Sequence, residues 1–228
     1  MDREDFLARV RSSLEREAGD AVGEPGPHAL PEPPASGEML DRLVHELREV
    51  GGKVHRVGSR AAARETVLEI LRQREAGPTN RRRVVRGDTA LLSSLALDAE
   101  LAAAGIEVTV CRLGEGTSEE QLREAAFDAD AGITSVDAAV AETGTLALLA
   151  RPGQGRSISL LPPLHVAVLD ARDVVWELQA LFEKTAGGGL PSALTLVTGP
   201  SRTGDIELVL TVGVHGPGEL HLVVIDGE

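Results

Sequence analysis

The chain has 228 residues, enough for one substantial hydrophobic core, and a formal net charge of −13. This negative charge excludes partners, such as nucleic acids, that are bound through clustered lysine and arginine. The uncharged stretches of the chain are too short, and too often broken by Pro, Gly or His, to span a membrane. The first residues are acidic, unlike the start of a signal peptide. We therefore expect a cytoplasmic protein.

The N-terminal residues predict a helix followed by a linker. Within Asp2–Ala18 the apolar residues recur at helical spacing, which predicts a short amphipathic helix. Gly19–Gly37 is rich in proline and glycine, which is typical of a linker. We therefore expect two parts, a helix with its linker at residues 1–37 and a folded domain at residues 38–228. Because so short a helix cannot bury its apolar stripe alone, we expect it to dock on the domain, a second copy or a partner.

Helix and strand signals alternate in the first half of the domain. Ser118 and Gln121 stand three residues apart, the spacing of a capping box at a helix start. Alternation of this kind is typical of parallel strands with helices on both faces of the sheet. The predicted helices are Glu38–Val50, Arg60–Arg74, Thr89–Ala104 and Ser118–Ala129, and the strands that follow them are Lys53–Val57, Val84–Val85, Ile106–Cys111 and Gly132–Thr134.

Strands dominate from Thr145 onward. One helix, Asp173–Lys184, is predicted among them, and the single tryptophan, Trp176, is interpreted as a core anchor on it. The second half is therefore expected to add a mixed or antiparallel portion to a largely parallel sheet. The predicted fold class is α/β.

A turn rich in anion-binding groups follows the predicted strand Ala193–Val197. It offers backbone N–H groups, the hydroxyls of Ser201 and Thr203 and the guanidinium of Arg202. Such donors suit a carboxylate or a phosphate, and open α/β sheets commonly hold ligands beyond the carboxyl ends of strands.

Two further turns have the same character. Glu142 lies between two apolar stretches that look buried, where a carboxylate serves either structure or chemistry. His215 lies between two glycines in the turn Gly213–Pro217, interpreted as a hairpin between two predicted strands.

Each of these features has a structural alternative. Arg202 can simply pair with Asp205 or Glu207 in its own loop, because polar residues in turns often satisfy local groups. Glu142 can be a hydrogen-bonded structural carboxylate. His215 can be a solvent-exposed turn residue, and the residues themselves leave these alternatives open.

The sequence carries no fingerprint of a cluster, metal or nucleotide site. Cys111 is the only cysteine, and iron–sulfur clusters typically use four thiolates, so any cluster must lie on another chain. With no histidine near it in sequence, Cys111 is interpreted as a buried or inert thiol. The histidines lack metal-ligand spacing, and the glycine-rich patterns of dinucleotide and P-loop sites are absent. We predict no metal and no cofactor bound by this chain.

Four motifs occur together in one order. With them, the chain closely resembles the LutC/YkgG proteins of the LUD-domain family, most strongly from Ile133 to Ile225. It departs from the family pattern at Gly204, where alanine is usual, and at Gly218, where a basic residue is common. The motifs are Thr134–Thr145 (TSVDAAVAETGT), Leu161–Val168 (LPPLHVAV), Thr198–Glu207 (TGPSRTGDIE) and Gly213–Pro217 (GVHGP).

The resemblance implies a NagB/RpiA/CoA-transferase-like fold, that of ribose-phosphate isomerase, glucosamine-phosphate deaminase and CoA-transferases. It also implies a role in L-lactate utilisation, in which three proteins together oxidise L-lactate to pyruvate. The iron–sulfur clusters are attributed to two companion proteins. This chain is similar to the third, cluster-free member.

On this layout we expect the three turns to converge on one crevice for a small carboxylate or phosphate. Arg202 would hold the anion, Glu142 would be the acid/base or electrostatic group, and His215 would contact the ligand or a second carboxylate. Asp137 and Asp205 are candidates to orient these groups. The predicted ligand-binding residues beside Glu142 are Thr143, Gly144, Thr145, Ser201, Arg202, Thr203, Asp205, His215 and Gly216.

Three functions remain open from the sequence. The first is a cluster-free subunit of an L-lactate-oxidising complex. The second is a free-standing enzyme of the CoA-transferase or phosphosugar-isomerase type, with Glu142 as nucleophile or base. The third is a non-catalytic assembly or regulatory module that docks through Asp2–Ala18.

Overall fold

A computed structural model describes residues 4–5, 32–74, 82–112, 117–186, 191–204 and 210–227. The chain divides into two compact units, Met1–Glu32 and Pro33–Glu228, and the sheets and cores of the fold belong to the second unit. The predicted helix Asp2–Ala18 and most of the predicted linker lie outside the described residues, apart from helical residues 4–5. The division at residues 37 and 38 therefore stays a prediction.

Helices and strands alternate along the described part of the second unit. In chain order the elements are α1 (Ser36–Glu49), β1 (Lys53–Val57), α2 (Arg60–Gln73), β2 (Arg82–Arg86), α3 (Ala90–Ser94), α4 (Leu97–Ala103), β3 (Ile106–Val110), α5 (Glu119–Asp128), β4 (Ala131–Ser135), β5 (Ala138–Val140), β6 (Thr145–Leu149), α6 (Ser157–Leu160), β7 (Leu164–Asp170), β8 (Val174–Val175), α7 (Leu178–Ala186), β9 (Leu194–Val197), β10 (Arg202–Gly204), β11 (Leu210–Val212) and β12 (Glu219–Ile225).

Within the described residues, six strands form a parallel sheet in the order β1-β12-β7-β4-β2-β3. The central strands are short apolar runs, as expected of strands that are buried on both faces. β12 lies between β1 and β7, so a strand from the end of the domain completes the sheet beside a strand from its beginning.

Alternate residues of the parallel sheet face two separate cores. On one face Val166, Val168 and Val223 pack with the apolar residues of α2, α3 and α4. On the other face Leu169 and Leu222 pack with the apolar stripe of α1 and with residues of β5 and β6. These faces are called the α2 face and the α1 face below. The division follows from the two-residue period of a strand.

A second sheet covers part of the α1 face. Its order is β8-β5-β6-β9, with β5 antiparallel to β6, β6 antiparallel to β9 and β5 parallel to β8. β10 and β11 form an antiparallel two-stranded ribbon. The prediction of a largely parallel α/β sheet with an added mixed portion is therefore confirmed.

Two predicted helices differ from the structure. Thr89–Ala104 is broken into α3 and α4, because Ala96 between them has a left-handed backbone, with φ of +51°. Asp173–Lys184 begins instead as a short turn followed by β8, and its helical part is α7. Trp176 therefore precedes the helix; it is partly buried against the core of the α1 face. Pairing of β8 with β5 outweighs the local helical pattern at this point.

The predicted hairpin around His215 is also wrong. The turn 213–217 connects β11, which pairs with β10, to β12, which lies in the parallel sheet.

By contrast, the predicted capping box is present, since the Ser118 hydroxyl accepts a hydrogen bond from the Gln121 amide and the Gln121 side chain accepts one from the Ser118 amide. Among the described helices, none has the length and apolar character needed to cross a membrane.

Candidate functional site

Three turns meet beside the C-terminal end of α1, and residues 142–145, 198–202 and 213–217 are called the three-turn site below. Hydroxyls link the first two turns. The Thr145 Oγ1 lies 2.7 Å from Thr143 Oγ1 and 2.8 Å from Thr198 Oγ1, so three threonine hydroxyls form one hydrogen-bonded row. A row of hydroxyls has donors and acceptors that can reorient towards a bound anion.

Backbone hydrogen bonds join the second turn to the third. The Ser201 amide donates to the Pro217 carbonyl oxygen at 2.8 Å, and the Gly213 amide donates to the Ser201 carbonyl oxygen at 2.9 Å. Gly216 packs on Ser201, since a Cβ added at Gly216 would lie 3.3 Å from the Ser201 Cβ. The imidazole of His215 is exposed at the end of this turn.

Arg202 lies on the C-terminal end of α1. Its Nη2 donates a hydrogen bond to the Val50 carbonyl oxygen at 2.7 Å. The guanidinium also covers Gly51, where an added Cβ would lie 2.7 Å from Nη2. Arg202 is nevertheless an exposed residue, and among the described residues its other N–H donors have no partner and could serve an anion. It begins β10 rather than lying in the turn itself.

Gly144 fits the first turn against α1. Its φ is +66°, and an added Cβ would lie 2.6 Å from the Leu47 amide nitrogen. Both the positive φ and this close approach require glycine. The turn between β5 and β6 is thus held directly on the backbone of the helix that also contacts Arg202.

Glu142 is exposed on the same turn, between buried strands. Its amide donates to the Trp176 carbonyl oxygen at 3.0 Å, which fixes the backbone. Within the described part of the chain, its carboxylate makes no hydrogen bond or ion pair. The apolar stretches on either side are buried as expected, but the turn carries the carboxylate itself outward to solvent.

The three-turn site lies at the amino edge of the parallel sheet. Gly51 precedes the start of β1, and Pro217 precedes the start of β12. The turn 198–202 does follow a strand end, that of β9, but β9 belongs to the second sheet. The carboxyl ends of the parallel strands, where α/β sheets commonly bind ligands, face the opposite edge.

Asp137 lies apart from these turns, in the connection from β4 to β5. Its Oδ2 accepts hydrogen bonds from the Leu149 amide at 2.8 Å and from the Gln154 side chain at 3.3 Å. Its Oδ1 pairs with Arg151. The carboxylate is therefore occupied within its own loop, and the prediction that it orients the site groups is not supported by any described contact.

Two other predicted residues lie at the limit of the described chain. The backbone of Thr203 pairs with Thr211 in the ribbon, and Asp205 lies outside the described residues. Whether Arg202 pairs with Asp205 or Glu207 therefore stays an open alternative. Cys111 is a free, buried thiol, as predicted.

His165 is a buried core histidine, and one of its two ring nitrogens is hydrogen-bonded. Its Nε2 lies 2.8 Å from Thr134 Oγ1, whereas Nδ1 has no partner. Burial lowers the pKa of His165 from 6.5 to about 4, so the ring is neutral near pH 7.

The described residues line two cavities that were not predicted from the sequence. One, of about 790 Å³, lies beside Cys111, Arg156 and Leu161. The other, of about 410 Å³, lies at the amino edge beside Lys53, Arg74 and Glu219. Residues of the three-turn site line neither of them. No cluster of three or more His, Cys, Asp or Glu side chains suited to a metal ion occurs in the described part of the chain.

Comparisons with known proteins agree on one family. The family described as LUD domain matches residues 40–225. The chain is 32% identical to lactate utilization protein C of Halalkalibacterium halodurans, over 98% of this chain and 97% of that protein. It is 30% identical to lactate utilization protein C 1 of Bacillus mycoides, over 100% of this chain and 98% of that protein.

A solved structure supports the fold. The crystal structure of a DUF162 family protein from Deinococcus radiodurans superimposes with a TM-score of 0.58 at 23% sequence identity. The match covers 85% of this chain and 99% of that chain. At this level of identity the likeness concerns the fold alone.

Proposed function

The chain belongs to the LutC/YkgG group of the LUD-domain family, and on this premise we propose that it is a lactate utilization protein. Specifically, it is the cluster-free subunit of a multi-protein iron–sulfur system that oxidises L-lactate to pyruvate. The near full-length match to proteins named lactate utilization protein C supports the pathway. The three-turn site supports the role of binding a small anion.

The observation that carries this proposal is that a cation and a row of hydroxyls both lie at the C-terminal end of α1. Arg202 is exposed and contacts Val50 at the end of α1, and Thr145 links the hydroxyls of Thr143 and Thr198 in the two turns that pack on the same end of the helix. A guanidinium binds a carboxylate through two parallel hydrogen bonds, and hydroxyls add further donors. The site therefore suits the carboxylate group of a 2-hydroxy or 2-oxo acid.

In this proposal the chain positions the acid and does not carry its electrons. Oxidation of lactate releases two electrons, which need an acceptor, and one buried cysteine cannot hold a cluster. The family resemblance implies that the acceptors are clusters on two companion proteins. Arg202 holds the carboxylate, while Glu142 and His215 are exposed groups on the other two turns of the site that can move a proton.

One observation favours a second candidate, a free-standing enzyme of the CoA-transferase or phosphosugar-isomerase type. Glu142 presents an exposed carboxylate on a turn that Gly144 fixes against α1. A carboxylate held in this way can act as a nucleophile or base without a cluster. This candidate requires turnover by the isolated chain.

Lactate-dependent reduction of an artificial electron acceptor distinguishes the two. The assay is run with this protein alone, with the two cluster-bearing companions alone, and with all three. We expect activity only when all three are present, and we expect Arg202→Ala to remove it while Arg123→Ala, an exposed arginine on α5, does not. Turnover by companions alone would exclude a necessary role for this chain. Turnover by this chain alone would favour the free-standing enzyme.

A further inference from the structure

A second polar site lies at the amino edge of the sheet, on the α2 face. It is the cavity of about 410 Å³ lined by Lys53, Gln73, Arg74, Glu219 and His221, with Ile70 and Leu164 as its apolar part. Small-molecule sites commonly have volumes of about 300–1,000 Å³. These residues are called the edge pocket below. None of them belongs to the three-turn site, which contacts α1 instead.

Strand register brings the edge pocket together. β1 and β12 pair in parallel with Lys53 opposite His221, and β12 and β7 pair with Glu219 opposite Leu164. Because alternate residues share a face, Glu219 and His221 both project to the α2 side. Arg74 reaches the same place because it directly follows α2.

Glu219 is the charged centre of the pocket. Its Oε1 accepts from the Lys53 ammonium and from His221 Nε2, the latter at 2.9 Å, and its Oε2 accepts from Arg74 Nη1 at 3.1 Å. The hydrogen bond from Lys53 is the largest cause that lowers the pKa of Glu219, to about 2. Glu219 is therefore ionised at neutral pH, and two cations with one carboxylate leave a net charge of +1.

Two histidines, His221 and His55, extend the hydrogen-bond network from this carboxylate. An ionised carboxylate only accepts, so His221 donates from Nε2; in the neutral pair its Nδ1 then accepts from His55 Nε2, 3.1 Å away. The two rings are stacked with centroids 5.2 Å apart. With both rings neutral, this arrangement leaves His55 Nδ1 as a proton acceptor.

The surroundings hold the pair neutral in the absence of a further anion. Burial is the largest cause that lowers the pKa of each ring. Around His55, the neighbouring His221, Lys53 and Arg48 lower the pKa further, and Glu69 on α2 raises it. Around His221, Lys53 and Arg74 lower the pKa, and Glu219 raises it. An added negative charge would shift this balance towards the protonated pair.

We propose that the edge pocket binds a small oxyanion, a sulfate-like or carboxylate group, through Lys53 and Arg74, and that binding is coupled to uptake of one proton by the His55–His221 pair. Glu219 uses only one N–H of each cation, so further donors remain for a ligand. The side chains of Lys53 and Arg74 are 58% and 29% exposed, so solvent anions can reach them. The proton comes from solvent and returns to it on release. This inference does not rest on the proposed function.

The chain has only two lysines, Lys53 and Lys184, which gives the test an internal control. Lys184 pairs with Asp173 in an exposed ion pair. In protein labelled with ¹⁵N-lysine, sulfate and L-lactate are titrated separately at pH 6 and pH 8 against sodium chloride of equal ionic strength. Sulfate stays a dianion over this pH range, so any pH dependence of its binding belongs to the protein.

We expect the Lys53 ammonium signal to move saturably with at least one of the two anions, while the Lys184 signal does not move. We also expect the ring signals of His55 and His221 to titrate at higher pH when the anion is bound, and the anion to bind at least about threefold more tightly at pH 6 than at pH 8. Equal, unsaturated shifts of both lysines would show charge screening only and overturn the proposal. If the anion binds saturably but the ring signals of His55 and His221 titrate at the same pH with and without it, the proposed coupling to proton uptake is overturned.

Variants test which cations hold the anion. Lys53→Met and Arg74→Met should each weaken binding about tenfold or more, because each removes a charged partner. Lys184→Met should leave binding within about twofold, and so should Arg202→Ala, which separates this site from the three-turn site. His55→Gln should keep binding but lose most of its pH dependence. If Lys53→Met fails to fold, the titration of the unaltered protein still decides. Unchanged affinity in folded Lys53→Met and Arg74→Met would refute the site.

Discussion

The guanidinium of Arg202 donates a hydrogen bond to the carbonyl oxygen of Val50, which lies 152 residues earlier, at 2.7 Å. The last carbonyls of a helix lack partners within the helix, so this bond satisfies one of them beyond the end of α1. The arginine thereby ties the β10–β11 ribbon to α1 through one of its N–H groups, while the residue itself is exposed. Its structural and ligand-binding roles can be separated by substitution.

The first prediction concerns Arg202. Arg202→Ala should remove lactate-dependent activity of the reconstituted system, while the loss of one exposed hydrogen bond should lower the melting temperature by less than about 6 °C. Arg202→Lys should recover only part of the activity, because an ammonium keeps the charge but lacks the forked geometry. Melting curves and the acceptor-reduction assay measure both effects. Full activity of folded Arg202→Ala would exclude this residue as the anion holder.

The second prediction concerns Glu142. Because the side chain is exposed, Glu142→Gln should change the unfolding free energy by less than about 0.5 kcal/mol. If the carboxylate transfers a proton, activity should fall by about 100-fold or more. Glu124→Gln, at an exposed position on α5, is the control and should be fully active. A stable and fully active Glu142→Gln would leave Glu142 without a chemical role.

The third prediction tests how tightly the first turn is fixed on α1. Gly144→Ala should lower the unfolding free energy by about 2 kcal/mol or more, because the backbone is left-handed and the new Cβ would meet the Leu47 nitrogen. Gly37→Ala is the matched control: it lies within α1 with no atom inside 4 Å of the added Cβ. That control should be neutral or slightly stabilising. Chemical denaturation measures both, and equal stabilities would contradict the described packing.

The fourth prediction is a pH dependence of stability from His165. Burial lowers its folded pKa to about 4, below the value near 6.5 expected when unfolded, so the unfolded chain binds a proton first as pH falls. The stability from the neutral ring is complete above pH 6.5 and is lost progressively between pH 6.5 and 4. His165 should contribute a slope approaching about 1.4 kcal/mol per pH unit in this window.

His165→Gln isolates that contribution from those of His55 and His221, whose pKa values are also lowered. Whatever its overall stability, the variant should show a dependence of unfolding free energy on pH that is less steep by up to about 1.4 kcal/mol per pH unit, the contribution of one proton. Denaturant titrations at intervals from pH 7 to pH 4 measure the two slopes. Parallel curves for the two proteins would show that His165 is not held neutral by burial.

Local signals predicted much of the fold. The strand Lys53–Val57 and the capping box of Ser118 and Gln121 occur as predicted, because each depends on neighbouring residues. The helix break at Ala96 was missed, because no glycine or proline marks it in sequence. β8 was missed because its pairing with β5 is a tertiary contact that overrides local helical spacing.

The candidate site was predicted in part. The three turns do meet, through the threonine hydroxyls and the backbone of Ser201. Their position at the amino edge could not be read from the sequence, because it depends on β12 inserting beside β1. The edge pocket was missed for the same reason, since only the register places Lys53 opposite His221. The partners of Asp137 could not be read from the sequence either, because Gln154 and Arg151 lie in a loop without a sequence signature.

The insertion of β12 beside β1 has a consequence for synthesis of the chain. Lys53 and Glu219 are 166 residues apart, a span that a ribosome translates in about 8–33 s at 5–20 residues per second. In the last part of this interval β1 and β7 are both made but lack the strand that lies between them, so each presents unpaired backbone groups. Such edges can pair with other nascent chains. We therefore expect a chain that terminates before β12 to aggregate more readily than a chain that contains this strand.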